Sequence, residues 1–289
     1  AAEKYTVFGR VRPHQKKILI QSLKSEGKTP AMVGDGVNDV LALREASCSI
    51  AMAQGSEAAK RVSNLILMNS DFDSMPQIIY EGRRVINNIT RSSSLFIVKT
   101  IFSILLSFSL LFLPFAFPYE PIQLTLVSSM TIGIPSFIPA LEPDKSIIRG
   151  KFIENTIIKA LPSAIADFFS VIMILLIASV AGIESHAEIS TATIMMLGLI
   201  GFITVFRACV PFTKIRKAMF GGIIGLFALT VLLIGKSILE FVFLPPILLA
   251  AVAVLAAIAI PMIYLLGILT EKIFKKRDER KIKNRTDRI

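Results

Sequence analysis

The sequence predicts two fold classes in one chain: an α/β partial domain, then an all-α polytopic membrane domain of six transmembrane helices. Three observations carry this. Short strand-forming and helix-forming runs alternate as far as about Asn69, apolar segments of membrane-spanning length follow Gln77, and the charged residues gather outside those segments. Of 289 residues, 53% are hydrophobic and only 18% charged, an average that conceals the boundary between the two parts.

In the first part, residues 6–8, 30–33, 49–51 and 65–68 read as strands, and residues 15–24, 37–46 and 56–62 read as the helices between them. Strand and helix alternating at this spacing predict βαβ units on a parallel sheet. The loop Gly34-Asp-Gly-Val-Asn-Asp39 follows a predicted strand, the end of an open α/β sheet at which ligands bind.

The second part contains six apolar segments, at about 92–113, 122–141, 156–181, 189–210, 218–239 and 246–269. At about 1.5 Å per residue each is long enough for a hydrocarbon core of about 30 Å. A stalk at 77–91 precedes them and a basic tail at 271–289 follows. The loops alternate in charge. Lys145, Arg149 and Lys151, then Arg207, Lys214, Arg216 and Lys217, then the tail, form one set, whereas the other set contains Lys236 alone. Positive-inside bias therefore predicts a multi-pass cell-membrane protein with both ends cytoplasmic. Glu142 and Asp144, just past the second segment, are expected on the cytoplasmic surface.

Composition narrows the function classes. The net charge of +11 suits nucleic acid, but nine of the 32 Lys and Arg residues lie in the tail directly after an apolar run, which points to lipid headgroups or topology. No nucleic-acid partner is expected. Cys48 and Cys209 are far apart with no secretory signal before them, so both read as reduced thiols. The chain opens on Ala1-Ala-Glu without an initiator Met and reads as a piece of something longer.

Chemistry concentrates in the loop at 34–39. Gly34 and Gly36 let the backbone approach a phosphate, while Asp35 and Asp39, with Asn38 between them, offer the oxygen ligands that Mg²⁺ prefers. Asp-Gly and Asn-Asp also make ordinary turns, so the six-residue string carries the reading and no single residue does. Upstream, Phe8-Gly-Arg-Val-Arg-Pro-His-Gln-Lys16 places Lys16 at the start of a helix, where its ammonium can hold a phosphoryl group. In the membrane part, Lys99 stands inside the first span and Asp167 inside the third, each 14 residues before its predicted outer boundary, so the two are expected at equal depth as partners.

The strings "VRPHQK", "GDGVNDVLAL" and "GRRVINN" resemble, in order and spacing, those of the P-type cation-transporting ATPases. The resemblance implies a haloacid-dehalogenase-type, Rossmann-like phosphorylation domain, of which residues 1–76 are the C-terminal part, running on into membrane helices five to ten. It implies Lys16 as the phosphate-contacting lysine, Asp35 as the Mg²⁺ ligand, Asp39 as its support, and Asn38 closing the loop. ATP is then the substrate of the complete protein and Mg²⁺ its cofactor. Val33 stands where the family usually has Thr, so one hydroxyl contact is absent.

Aligned on Gly82-Arg83 and Gly133-Ile-Pro135, the family's ion-binding positions in helices five and six fall on Thr100, Ser103, Ser128, Thr131 and Ile132, with no carboxylate among them. The serine- and threonine-rich helix six resembles the bacterial "cation-transporting ATPase E" type. Gastric-type proton pumps also carry a lysine at the place of Lys99, which implies a built-in cation there. The prolines and glycine of Thr131-Ile-Gly-Ile-Pro-Ser-Phe-Ile-Pro139 break the second span and free carbonyls for an ion. Calcium is the first expectation for the transported ion. The phosphorylated Asp-Lys-Thr-Gly-Thr motif, the nucleotide domain and helices one to four are not among these residues, so the missing N-terminal part of the pump is an expected partner and the fragment alone is expected to be inactive. Two alternatives stand beside the pump: a membrane-tethered phosphatase of the same superfamily and a non-catalytic, pump-derived membrane subunit.

Overall fold

The computed structural model describes residues 2, 4–138, 142, 144, 146–148 and 150–286, with side chains as far as Phe274. It divides into two compact units, Ala1–Tyr80 and Glu81–Ile289. Pro139, Lys145, Arg149, the end of the second predicted span at Leu141 and the tail side chains beyond Phe274 lie outside the described residues.

The first unit is a three-stranded parallel sheet in the order β1 (Ala31–Gly34), β2 (Cys48–Met52), β3 (Leu65–Leu67). Ala31 stands opposite Cys48, and Ile50 opposite Leu65. The connections are α2 (Val40–Glu45) and α3 (Glu57–Val62), and α1 (Pro13–Ser25) precedes the sheet. Pro13 opens α1 where a missing N–H costs nothing, and the Arg12 N–H is taken by Gln15 Oε1 at 2.9 Å. A small core of Leu43, Ala51 and Ala59, flanked by Met32 and Val62, holds helices to sheet. The strand expected at 6–8 does not form. Val7 is 87% exposed, and no described strand lies beside it to take its backbone hydrogen bonds.

In the second unit five helices are long and apolar enough to cross a membrane, counted among the described residues. The first, α4 (Met75–Leu110), starts in the last residues before the unit boundary and runs unbroken through the expected stalk and on to Leu110, three residues short of the expected end of the span. The second expected span is instead three pieces: α5 (Pro121–Ser128), a π-helical turn at Ser129–Gly133, and α6 (Ile134–Phe137). Gly133 and Pro135 account for the break, since neither supports a regular α-helical ladder in mid-span. Next come α7 (Phe152–Val180), α8 (His186–Cys209), α9 (Lys214–Ile234) and α10 (Pro246–Thr286).

Helix α7, with α8, is the most enclosed of the long apolar helices, and its inward positions are small. Ala160, Ala164, Ala166 and Ala178 are all at most 1% exposed, and such residues let backbones approach where lipid supplies no hydrophobic drive between helices. Ala166, Ile174 and Ala178 pack with Met196 and Ile200 of α8 and with Leu248, Val252 and Leu255 of α10. A second cluster joins Phe102 and Leu106 of α4 to Tyr119, Val127, Val171 and Leu197.

A polar clamp closes one end of this unit. Asn88 donates to Glu142 O at 3.0 Å, Asn87 to Ser146 O at 3.0 Å, and Arg91 to Asp144 at 3.1 Å. Glu142 does not lie on the surface as expected: it is 7% exposed, accepts from Thr213, and forms an ion pair with Arg216, itself 4% exposed. A carboxylate this enclosed requires a partner, and the α9 guanidinium is the one within reach.

Candidate functional site

The loop after β1 is held from three directions. Gly34 is buried because the Asp39 side chain folds back over it, and a Cβ there would come within 2.6 Å of Asp39 Cβ. Asp39, 6% exposed, receives Lys16 Nζ at 2.6 Å and the Gly36 N–H at 3.4 Å. From the next connection, the Ser56 N–H donates to Asp35 O at 2.7 Å, and Gly55 lies so close that a Cβ would meet the same oxygen at 2.5 Å. The backbone of Asp35 is thus fixed while its carboxylate points out: the residue is exposed and its side chain makes no hydrogen bond or ion pair among the described residues. Asn38 is likewise exposed.

Two carboxylates of one loop therefore do different work. Asp39 is neutralised by Lys16 and orients that ammonium, and Asp35 remains available. Among the described residues no group of three or more His, Cys, Asp or Glu side chains converges as a metal cage. A free carboxylate at a strand end still fits Mg²⁺, which keeps several waters and is commonly held by one or two carboxylates plus substrate phosphate. Gly55 and Ser56 escaped the sequence reading. Their signal was weak: a glycine and a helix-capping serine in the loop after the neighbouring strand, the other rim of a parallel-sheet site.

The membrane unit contains a second constellation. A cavity of about 50 Å³ is lined by Lys99, Ser128, Thr131, Asp167 and Thr204 among apolar neighbours. Lys99 Nζ donates to Ser128 Oγ at 3.0 Å and forms no ion pair with Asp167, contrary to the expected partnership. The reason is local: the Ser128 hydroxyl, just before the π turn, is in reach of the ammonium and takes it. Thr100 is exposed, bonded to Phe96 O at 3.2 Å, and neither it nor Ser103 lines the cavity. Thr204, which the sequence reading missed, lies 2.8 Å from Ser163 Oγ.

Known proteins resemble this chain along most of its length. Residues 16–79 match the family description "haloacid dehalogenase-like hydrolase". A stretch of 239 residues, 80% of the chain, is 44% identical to the "Probable cation-transporting ATPase exp7" of Streptococcus pneumoniae. So long an alignment runs well past the 80 residues of the first unit and takes in apolar helices of the second. The chain is similar to cation-transporting ATPases. Other similar proteins include the "Calcium-transporting ATPase CtpE" of Mycolicibacterium smegmatis, 42% identical over 56% of this chain, and the endoplasmic reticulum-type "Calcium-transporting ATPase 3" of Arabidopsis thaliana, 34% identical over 52%. The chain spans 31%, 22% and 15% of the length of these three proteins.

Proposed function

We propose that these residues are the C-terminal part of an ATP-driven cation pump working through an aspartyl-phosphate cycle, with Ca²⁺ the transported ion. The observation that carries the reading is the division of labour in the loop: a fixed backbone, an Asp39–Lys16 pair, and an Asp35 carboxylate left open at the strand end. Lys16, held by Asp39, presents an ammonium to a phosphoryl oxygen, and the Gly34 and Gly36 backbone leaves room for it. Asp35 would hold Mg²⁺, which when bound neutralises further phosphoryl charge. The phosphorylated Asp of this proposal is not in an Asp-Lys-Thr-Gly-Thr string of these 289 residues, so it comes from elsewhere in the pump, which is then the chain's partner. The basic loops of the sequence support a cell-membrane protein with both ends cytoplasmic, in which the broken segment at 121–137 would be the sixth crossing beside the five long apolar helices among the described residues. Calcium is favoured by the names of two relatives.

The test is on the full-length protein in proteoliposomes. Ca²⁺ should stimulate ATP hydrolysis and an acid-stable phosphoenzyme, and Asp35→Asn should lower both by about 100-fold or more, the loss of one electrostatic group at a phosphoryl site. The 289-residue chain alone should give neither. Cation-independent phosphatase activity of the full-length protein would overturn the pump in favour of a membrane-tethered phosphatase.

A further inference from the structure

At the end of the sheet remote from the loop at 34–39, a cleft of about 440 Å³ opens among Arg44, Ser47, Ser49, Arg61 and Asn64. It lies at the start of β2, whose first residue Cys48 stands opposite Ala31, whereas Gly34 ends β1 opposite Ala51. Three residues at about 3.3 Å each set these two ends about 10 Å apart, so the cleft is separate from the Lys16 and Asp35 site. Its polar groups are chiefly donors. Arg44 and Arg61 are exposed, and neither guanidinium makes a hydrogen bond or ion pair among the described residues. The neighbouring acids are engaged elsewhere: Glu45 accepts from Gln21 at 3.1 Å and pairs with Lys24, and Glu57 pairs with Lys60. Asn64 Oδ1 accepts the Ser49 N–H at 2.9 Å, which fixes the amide and leaves its Nδ2 to donate. A basic residue in the last turn of a helix suits the helix dipole, which accounts for Arg44 and Arg61 singly. It does not account for two unpaired guanidiniums at one cleft, where like charges repel.

We propose that this cleft binds a small phosphate-bearing anion through Arg44 and Arg61, and that the bound anion steadies the loop at 34–39. Each guanidinium is a planar fork of N–H donors that meets phosphate oxygens two at a time. Two forks, with Ser47 and Asn64 beside them, suit the several oxygens of a diphosphate. Leu43, on the floor, is only 1% exposed, so the cleft offers little apolar surface to a hydrophobic ligand. Two short helices make the link to the loop. Helix α2 begins at Asp39 and has Arg44 in its last turn. Helix α3 begins at Ser56, whose N–H holds Asp35 O at 2.7 Å, and has Arg61 in its last turn. Leu43 of α2, Ala51 of β2 and Ala59 of α3 form one core, so the two helices are packed as a unit. An anion that bridges Arg44 and Arg61 therefore joins, from the far end, the two elements that hold Asp39 and Asp35, and replaces repulsion between them by attraction. None of these residues depends on the pump reading, since all belong to the first unit.

The experiment uses the 289-residue chain in detergent, with Mg²⁺ removed by EDTA and with radiolabelled pyrophosphate and ADP as probes in equilibrium dialysis. Arg44→Gln and Arg61→Gln should each weaken pyrophosphate binding by about tenfold, the loss of a charge-assisted hydrogen bond. Arg44→Lys, which keeps the charge and loses the fork, should recover only part of that loss. Lys16→Met should leave this binding unchanged, because the loop at 34–39 lies at the other end of the sheet. Both arginines are exposed, so the variants should fold, with an unchanged thermal midpoint as the check. In hydrogen exchange, saturating pyrophosphate should slow the Asp39 and Ser56 amides by about threefold or more in the wild type and leave them unchanged in Arg44→Gln. Equal binding of ADP and pyrophosphate assigns the cleft to the diphosphate group itself, and tighter binding of ADP assigns it to a nucleotide that carries one. Binding that survives both arginine variants, or that Lys16→Met abolishes, overturns the site. Binding without slower exchange overturns its effect on the loop.

Discussion

Gly55 shows how much a residue without a side chain can determine. The Asp35 carbonyl occupies the place where a Cβ would be, at 2.5 Å, with Asp35 Cα at 3.0 Å, so the collision is with backbone and no rotamer relieves it. Gly55→Ala must push the loop after β1 away from α3 and break the 2.7 Å bond from the Ser56 N–H. Overpacking of this kind costs about 1–3 kcal/mol. The expected outcome is a chain destabilised by about that amount in chemical denaturation, and a full-length protein whose Mg²⁺ requirement for phosphoenzyme formation rises. Unchanged Mg²⁺ dependence would mean that Asp35 is positioned from its own loop alone. Gly36, by contrast, has only Asn38 N and Asp39 Oδ2 near a Cβ, at 3.8 and 3.9 Å, and should tolerate Ala far better. Residues 34–39 were legible because the chemistry is contiguous. Gly55 and Thr204 were not, because each acts on another element from 20 or more positions away, and no local pattern records which backbone will press on it.

Among elements, the broken segment at 121–137 is the one whose irregularity has a stated cause and a stated neighbour. Gly133 and Pro135 break the segment, and the π turn at Ser129–Gly133 that results packs on α8 at Gly201, where Thr131 fills the space a side chain would take. The contacts at 2.6 Å to Cγ2 and 3.0 Å to Cβ predict that Gly201→Ala forces the two elements apart. Because the nearest atom is a methyl group, Thr131→Ser, which deletes it, should recover part of the loss. The double variant should lose less than the sum of the two single losses by about 0.5 kcal/mol or more, the coupling expected of residues in contact. Additive effects in thermal unfolding would show that α8 and the π turn do not touch as described. The strand expected at 6–8 failed for the complementary reason: local β propensity was sufficient, but a strand needs a neighbour, and none is described beside it.

At the scale of the whole molecule, one polar clamp links the first helix of the membrane unit to two later connections, through Asn87, Asn88 and Arg91 on one side and Glu142, Asp144, Thr213 and Arg216 on the other. Such a clamp makes stability depend on pH with a definite sign. Burial alone would raise the Asp144 carboxyl, but the Ser146 hydroxyl and N–H, then the Arg91 and Arg216 charges, outweigh it and hold the group below its ordinary value of 3.8. A carboxylate with a lowered folded value stabilises the fold above the unfolded value, and that contribution is lost as pH falls through the folded one. Asp144→Asn should therefore be less stable than the wild type at about pH 6, and the gap should close progressively below about pH 4. The chain has no Trp, so the thermal midpoint is best followed by far-ultraviolet circular dichroism in detergent. A gap that stays constant with pH would assign the loss to the hydrogen bonds that Asn fails to reproduce, and would remove charge from the account of how α4 is tied to the connections that follow α6 and α8.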